Sequence, residues 1–293
     1  MDAISASIRD RGIAMRIVIL SSSLYSETAC AMAVRMAQLG EIPVGALALS
    51  ALDRATLLRK IGQWGVAEVA HYARTKLIAP RGARHAQTRN PCLESWLKHQ
   101  HGMFRNLREV AALYDFPVDV CRDQNSPVSI ARLREWSPDL IIFTGGNILR
   151  KEILGVPRLG VLNVHLGLLP EVRGMSSPEW SLLQGVPLGI TLHYMDAGID
   201  TGPILRRYEF PATHCESLND LRNRLIAFGL EKLGEVIEGL GRGTICATPQ
   251  SDLNNFDQGE DRQFFVMHEW LQARAAERLV ASHRATVAGA VHG

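Results

Sequence analysis

Short, continuously apolar runs alternate along this chain with longer stretches of helical periodicity, and that alternation restricts its fold more than any other feature. Residues 16–21 (RIVILS) are apolar and β-branched, as a strand covered on both faces of a parallel sheet must be. Residues 27–39 carry helical spacing and stop at Gly40. Residues 42–49 and 118–121 read as further strands. Asn125 and Ser126 before Pro127 mark a helix start, and that helix carries Ile130, Leu133 and Trp136 as far as Pro138. Residues 140–143 (LIIF) and 161–164 follow as strands four and five. Strand–helix alternation of this kind predicts an α/β, Rossmann-like, mostly parallel sheet with helices on both faces. Binding sites in such sheets lie beyond the carboxyl ends of the strands.

The 293 residues suffice for one large domain or two small ones. Residues 1–15 read as an N-terminal extension, residues 16–243 as the main domain, and residues 244–293 as a short, partly helical C-terminal extension. Residues 207–210 suggest another strand. Leu221, Leu225, Phe228, Leu233, Val236, Ile237 and Leu240 give a helix closed by Gly239 and Gly241, and residues 263–279 a second amphipathic helix, with a fraying end from 285. From His71 to Arg105, within a weakly patterned insertion over about 60–105, seven Lys or Arg face a single acid, Glu94. Two readings stand for it: a solvated loop, or an anion-facing lid over the substrate.

A net charge of +2 does not indicate a nucleic-acid binder working by bulk electrostatics. No apolar run approaches the ~18 residues that span a bilayer. Five scattered, unpaired cysteines point to a reduced, cytoplasmic setting, and the histidines show none of the usual zinc spacings, so no metal is expected.

Two segments carry the chemistry. In 162–174 (LNVHLGLLPEVRG), Asn163 and His165 are two apart at a strand end, so their side chains point the same way. In 189–204 (GITLHYMDAGIDTGPI), a strand enters a tight loop holding Asp196 and Asp200. The combination N-x-H-x-x-L-L-P with D-x-G-x-D-T-G-P resembles the 10-formyltetrahydrofolate-dependent formyltransferases, whose members act on glycinamide ribonucleotide, methionyl-tRNA and amino sugars. The resemblance is strong over about 138–205 and compatible as far as Gly241 and Gln250.

That resemblance implies the formyltransferase fold, with 10-formyltetrahydrofolate as co-substrate, a small-molecule amine as acceptor, and Asn163, His165 and Asp200 as the catalytic set. It implies that the strand-end loop 143–149, with Phe143, Gly145, Gly146, Ile148 and Leu149, lines the pterin pocket, together with Asp196, Gly198 and Gly202 of the second motif. On the acceptor side it implies Ser22 and Ser23 in a serine-rich turn, Arg173, Gly174 and His193. His193 either lines the site or packs beneath it; Arg173 binds a substrate anion or pairs with a carboxylate; Trp180 reads as core. Asp196 and Asp200 have the plainer role of turn residues open to them. The turn at Ser22 lacks the glycine of the purine enzymes, and a full C-terminal barrel like that of the tRNA enzymes is a tight fit in the roughly fifty residues after Gly243. Arg173-Gly174 and Trp180 are similar to the amino-sugar enzymes, so an amino sugar or specialised-metabolite amine is the leading acceptor. A glycinamide ribonucleotide enzyme, a formyltetrahydrofolate hydrolase and a non-catalytic folate binder are the alternatives, and neither a monomer nor a homodimer is excluded.

The chemistry suits these residue types. Formyl transfer is acyl transfer to nitrogen: an oxyanion forms, which amide and imidazole donors can meet, and the amine must lose a proton, which a carboxylate can accept.

Overall fold

The computed structural model describes residues 15–50, 90–100, 104–212, 215–253 and 263–290. Five strands form the parallel part of a seven-stranded sheet: β1 (Ile17–Ser21), β2 (Gly45–Leu49), β3 (Val118–Cys121), β4 (Leu140–Phe143) and β5 (Gly160–His165). Two antiparallel strands complete it, β7 (Gly189–Tyr194) and β8 (Ile204–Glu209), in the order β3-β2-β1-β4-β5-β7-β8. The expected mostly parallel α/β sheet is therefore present. A two-stranded parallel sheet joins β6 (Arg173–Gly174) to β9 (Gln263–Phe264).

Alternation along β1 shows why the strand must be apolar throughout. Ile17 and Ile19 enter one core with α1 (Glu27–Gln38), α2 (Pro91–Gln100), α3 (Leu107–Tyr114) and α7 (Leu218–Arg242). Val18 and Leu20 enter the other, with Ile130, Leu133 and Trp136 of α4 (Pro127–Trp136) and Ile153 of α5 (Lys151–Leu154). Each fully buried Leu or Ile contributes roughly 1.5–3 kcal/mol. Ser126 caps α4, its hydroxyl accepting from the Ser129 amide at 3.2 Å, with Pro127 in the first turn.

Several boundaries differ from expectation. Helix α7 does not close at Gly239 and Gly241. It passes through both, because Ile245 packs where a Gly239 side chain would stand, and ends at Gly243 in a left-handed cap. The amphipathic stretch from residue 263 is two elements, β9 and then α8 (Glu269–Ala290), so the helix also runs past the expected fray point at 285. Of the insertion over about 60–105, residues 60–89 and 101–103 lie outside the described residues, including Arg74, Arg81 and Arg89. Its described part, α2, is packed rather than loose: Leu93 and Leu97 are buried in the core with α7.

Strand succession reverses direction at β1, with β2 and β3 to one side and β4 and β5 to the other. The loops leaving β1 and β4 therefore meet at the carboxyl edge, where such folds open a crevice. Helix α6 (Ser177–Gln184) starts against Gly167 in the loop after β5 and is packed by α8, so the chain after residue 243 returns to this part of the molecule.

Candidate active site

Antiparallel pairing of β5 with β7 sets Asn163 directly opposite His193, and His165 opposite Thr191. Facing residues in such a pair share one side of the sheet, so Asn163, His165 and His193 crowd a single spot. A bulge between Leu192 and His193 in the pairing with β8 falls at the same place. The loop after β7 then folds Asp200 over them. Its backbone is left-handed, φ 54°, a conformation held only where surrounding bonds enforce it.

The carboxylate of Asp200 is the hub. Oδ2 lies 3.4 Å from His165 Nδ1 and accepts from the Gly174 amide at 2.9 Å; Oδ1 lies 3.6 Å from His193 Nε2. Each histidine has its other nitrogen on a backbone carbonyl: His165 Nε2 on Val172 O at 2.8 Å, His193 Nδ1 on Tyr194 O at 2.9 Å. A carbonyl only accepts, so those two nitrogens carry the protons of the neutral rings. His193 Nε2 then accepts from Asn163 Nδ2 at 3.2 Å. His165 Nδ1 is left as a lone pair facing a carboxylate, so the cluster is one proton short of full pairing.

Charge follows from burial. Burial pushes His165 below its usual value; Asp200 pulls it part of the way back, His193 opposes that, and the Val172 carbonyl assists it. The ring is therefore neutral at neutral pH. For Asp200, burial alone would raise the pKa, but the neighbouring His193 ring, the charge of His165 in acid and the Gly174 amide outweigh it and bring it down to about 2.

The other residues singled out from the sequence divide by position. Ser22 reaches the β4 loop, its Cβ 3.3 Å from where a side chain on Gly145 would begin. The Ser23 hydroxyl is used locally, accepting from the Tyr25 amide at 3.2 Å. At Gly146, φ 150°, a Cβ would run into the buried Gln124 carboxamide, which accepts from the Asn147 amide at 3.0 Å and donates to Ser21 O at 3.2 Å. Ile148 is exposed, Phe143 is half-buried, and Leu149 points down into the core instead of into the crevice. Asp196 ties its own loop, accepting from the Gly198 amide at 3.1 Å and the Thr201 hydroxyl at 2.6 Å. Gly202 sits so close to the Tyr194 carbonyl that no side chain fits. Arg173 is buried and engaged, its guanidinium donating to Gln250 Oε1 at 2.8 and 3.2 Å. Trp180 is half-buried at the rim of the small sheet, stacked on Phe264 at 4.7 Å and donating to Phe265 O at 2.9 Å. Sequence reasoning gave Gln250 no role, although it is buried and touches this loop; nothing local in a Pro-Gln-Ser stretch signals it.

No helix among the described residues is long and apolar enough to cross a membrane. Among them no group of three or more His, Cys, Asp or Glu could hold a metal ion.

Residues 105–237 match the formyl transferase family model. The methionyl-tRNA formyltransferase of Pelobacter propionicus is 35% identical over 148 residues, covering 50% of this chain and 46% of that protein. The chain thus spans about half the length of the curated relatives it matches. Among solved structures, glycinamide ribonucleotide transformylase 1 from Symbiobacterium toebii superposes with a TM-score of 0.53 at 19% identity, over 80% of this chain and 90% of that one. The N-formyltransferase from Helicobacter canadensis, solved with folinic acid and dTDP-3-aminofucose, does so with 0.52 at 16% identity, over 86% and 71%. The matched segment carries both motifs, and over it the chain is similar to the formyltransferases.

Proposed function

We propose that this protein is an N-formyltransferase that moves the formyl group of 10-formyltetrahydrofolate to the amine of a small acceptor, an amino sugar or a specialised metabolite. The observation that carries the reading is the convergence of His165 and His193 on the Asp200 carboxylate, with Asn163 bonded to His193, at the carboxyl edge of the sheet. Attack of a neutral amine on the formyl carbon makes an oxyanion and leaves a proton on the attacking nitrogen. One hydrogen of Asn163 Nδ2 goes to His193; the second is the donor for the oxyanion. The proton goes to His165 Nδ1, converting two facing acceptors into an ion pair with Asp200. At about 2, Asp200 is too weak a base to hold that proton itself and works through its charge. Collapse of the adduct breaks the bond from carbon to N10 of the folate, and His165 returns the proton to that nitrogen. The loop 143–149 and the turn 196–202 frame the pterin, with Gly146 seated against the Gln124 carboxamide where a side chain would clash. Ser22, Gly174 and His193 border the acceptor. Arg173 supports this wall through Gln250, which favours its role as a brace over direct anion binding.

The test is incubation with 10-formyltetrahydrofolate and a panel of amines: amino sugars and their nucleotide derivatives, glycinamide ribonucleotide and methionyl-tRNA. Amine-dependent release of tetrahydrofolate supports the reading. Release independent of amine makes the protein a hydrolase, and folate binding with no release in any arm overturns catalysis.

A further inference from the structure

We propose that Gln250 is a positioning residue that holds Asp200 against the two histidines through the backbone of its loop; as a statement about catalysis it rests on the formyltransferase reading. Gln250 opens a short 3-10 turn, Gln250–Asp252, fifty residues beyond Asp200 and outside the segment 105–237. That turn is anchored by Thr248, which exchanges two backbone hydrogen bonds of 2.8 Å with Ile204 at the start of β8. The side chain is buried, and its polar capacity is spent on one task. Nε2 donates to Asp200 O at 2.8 Å and to Gly202 O at 2.9 Å, while Oε1 accepts both bonds from Arg173.

These bonds close a ring. Arg173 is followed by Gly174, whose amide donates to Asp200 Oδ2, so the carboxylate is held from β6 and the backbone of the same residue from Gln250. Asp200 needs both, because its left-handed backbone is not self-supporting. Asp196 secures the front of the turn through Gly198 and Thr201, whereas the Asp200 carbonyl itself is held by Gln250. Two donors and one acceptor from a single neutral group is the inventory of a carboxamide. Glutamate at this position would keep the acceptor for Arg173 and lose both donors; methionine would keep the volume and lose everything polar.

The experiment uses the full chain, its Gln250→Glu and Gln250→Met variants, and three measurements: melting temperature, folate affinity with saturating turnover, and the titration of the His165 ring followed by 15N NMR. Both variants are expected to remain folded and to bind 10-formyltetrahydrofolate within a few-fold of the parent. Turnover should fall about 100-fold, the scale set by a misplacement of about 1 Å. The His165 titration should move to lower pH, because a displaced Asp200 no longer supports the imidazolium. Unchanged turnover and an unchanged His165 titration would overturn the proposal. So would loss of the fold in both variants, which would make Gln250 part of the framework. Were the parent inactive with every amine, the functional reading would fail while the titration still decided the positioning role.

Discussion

Replacing Asp200 with Asn separates catalysis from architecture. Asn keeps the size, tolerates the left-handed backbone, and retains an oxygen for the Gly174 amide, but carries no charge. The folded chain lowers the Asp200 pKa from its ordinary 3.8 to about 2, a preference for the ionised form worth about 2 kcal/mol. A neutral side chain forfeits that preference at pH 7. A folded pKa depressed below the unfolded one gives stability that is full above the unfolded value and lost as pH falls through the folded value. The parent should therefore melt about 4–8 °C above the variant at pH 7. The gap should persist down to about pH 4 and close towards pH 2, where the parent is protonated as well. Saturating single-turnover rates should fall by about two to four powers of ten, because the proton on His165 would no longer be held against a charge. Differential scanning calorimetry across pH and quenched-flow detection of tetrahydrofolate are the assays. A variant with the parent's melting profile and a rate within about tenfold would leave Asp200 as a turn residue and sink the argument.

Truncating His165 to Ala should abolish turnover while folate affinity stays within a few-fold, since the ring acts on the transition state; isothermal titration and turnover on the same preparation decide it. Because burial lowers the His165 pKa and the neutral ring is the proton acceptor, activity should be on its plateau at pH 7 and fall only on the acid side of the usual histidine range. A pH–rate profile whose acid limb lies above about pH 6.5 contradicts this. Substituting Gly146 with Ala drives a Cβ into Gln124 and should weaken folate binding at least about tenfold while leaving the rate of bound substrate less affected; equal affinity would remove this loop from the pterin pocket.

The parts legible in the sequence were those whose cause is local. Residues 140–143 must be a buried strand because nothing in LIIF tolerates water on either face, and Ser126-Pro127 must start a helix because one residue caps and the next lacks the amide that a helix leaves unpaired. The two-residue spacing of Asn163 and His165 likewise placed both on one side of a strand before any partner was known. Elsewhere the deciding contact lies far along the chain. Gly239 and Gly241 read as a stop until Ile245 is seen packed against the first. Residues 263–264 share helical periodicity with residues 265–279, yet they pair with Arg173 and Gly174, ninety residues earlier. His193 had two readings because alternation along β7 gives its face but not its neighbour, and the neighbour, Asn163, comes from antiparallel register with β5. Gln250 is the extreme case. Its three partners, Arg173, Asp200 and Gly202, come from β6 and from the loop after β7, and its own surroundings in sequence are an unremarkable turn. A motif names the groups that do chemistry because their spacing is fixed by one strand or one turn. The groups that hold them still are recruited from wherever the fold returns, and only the folded chain shows where that is.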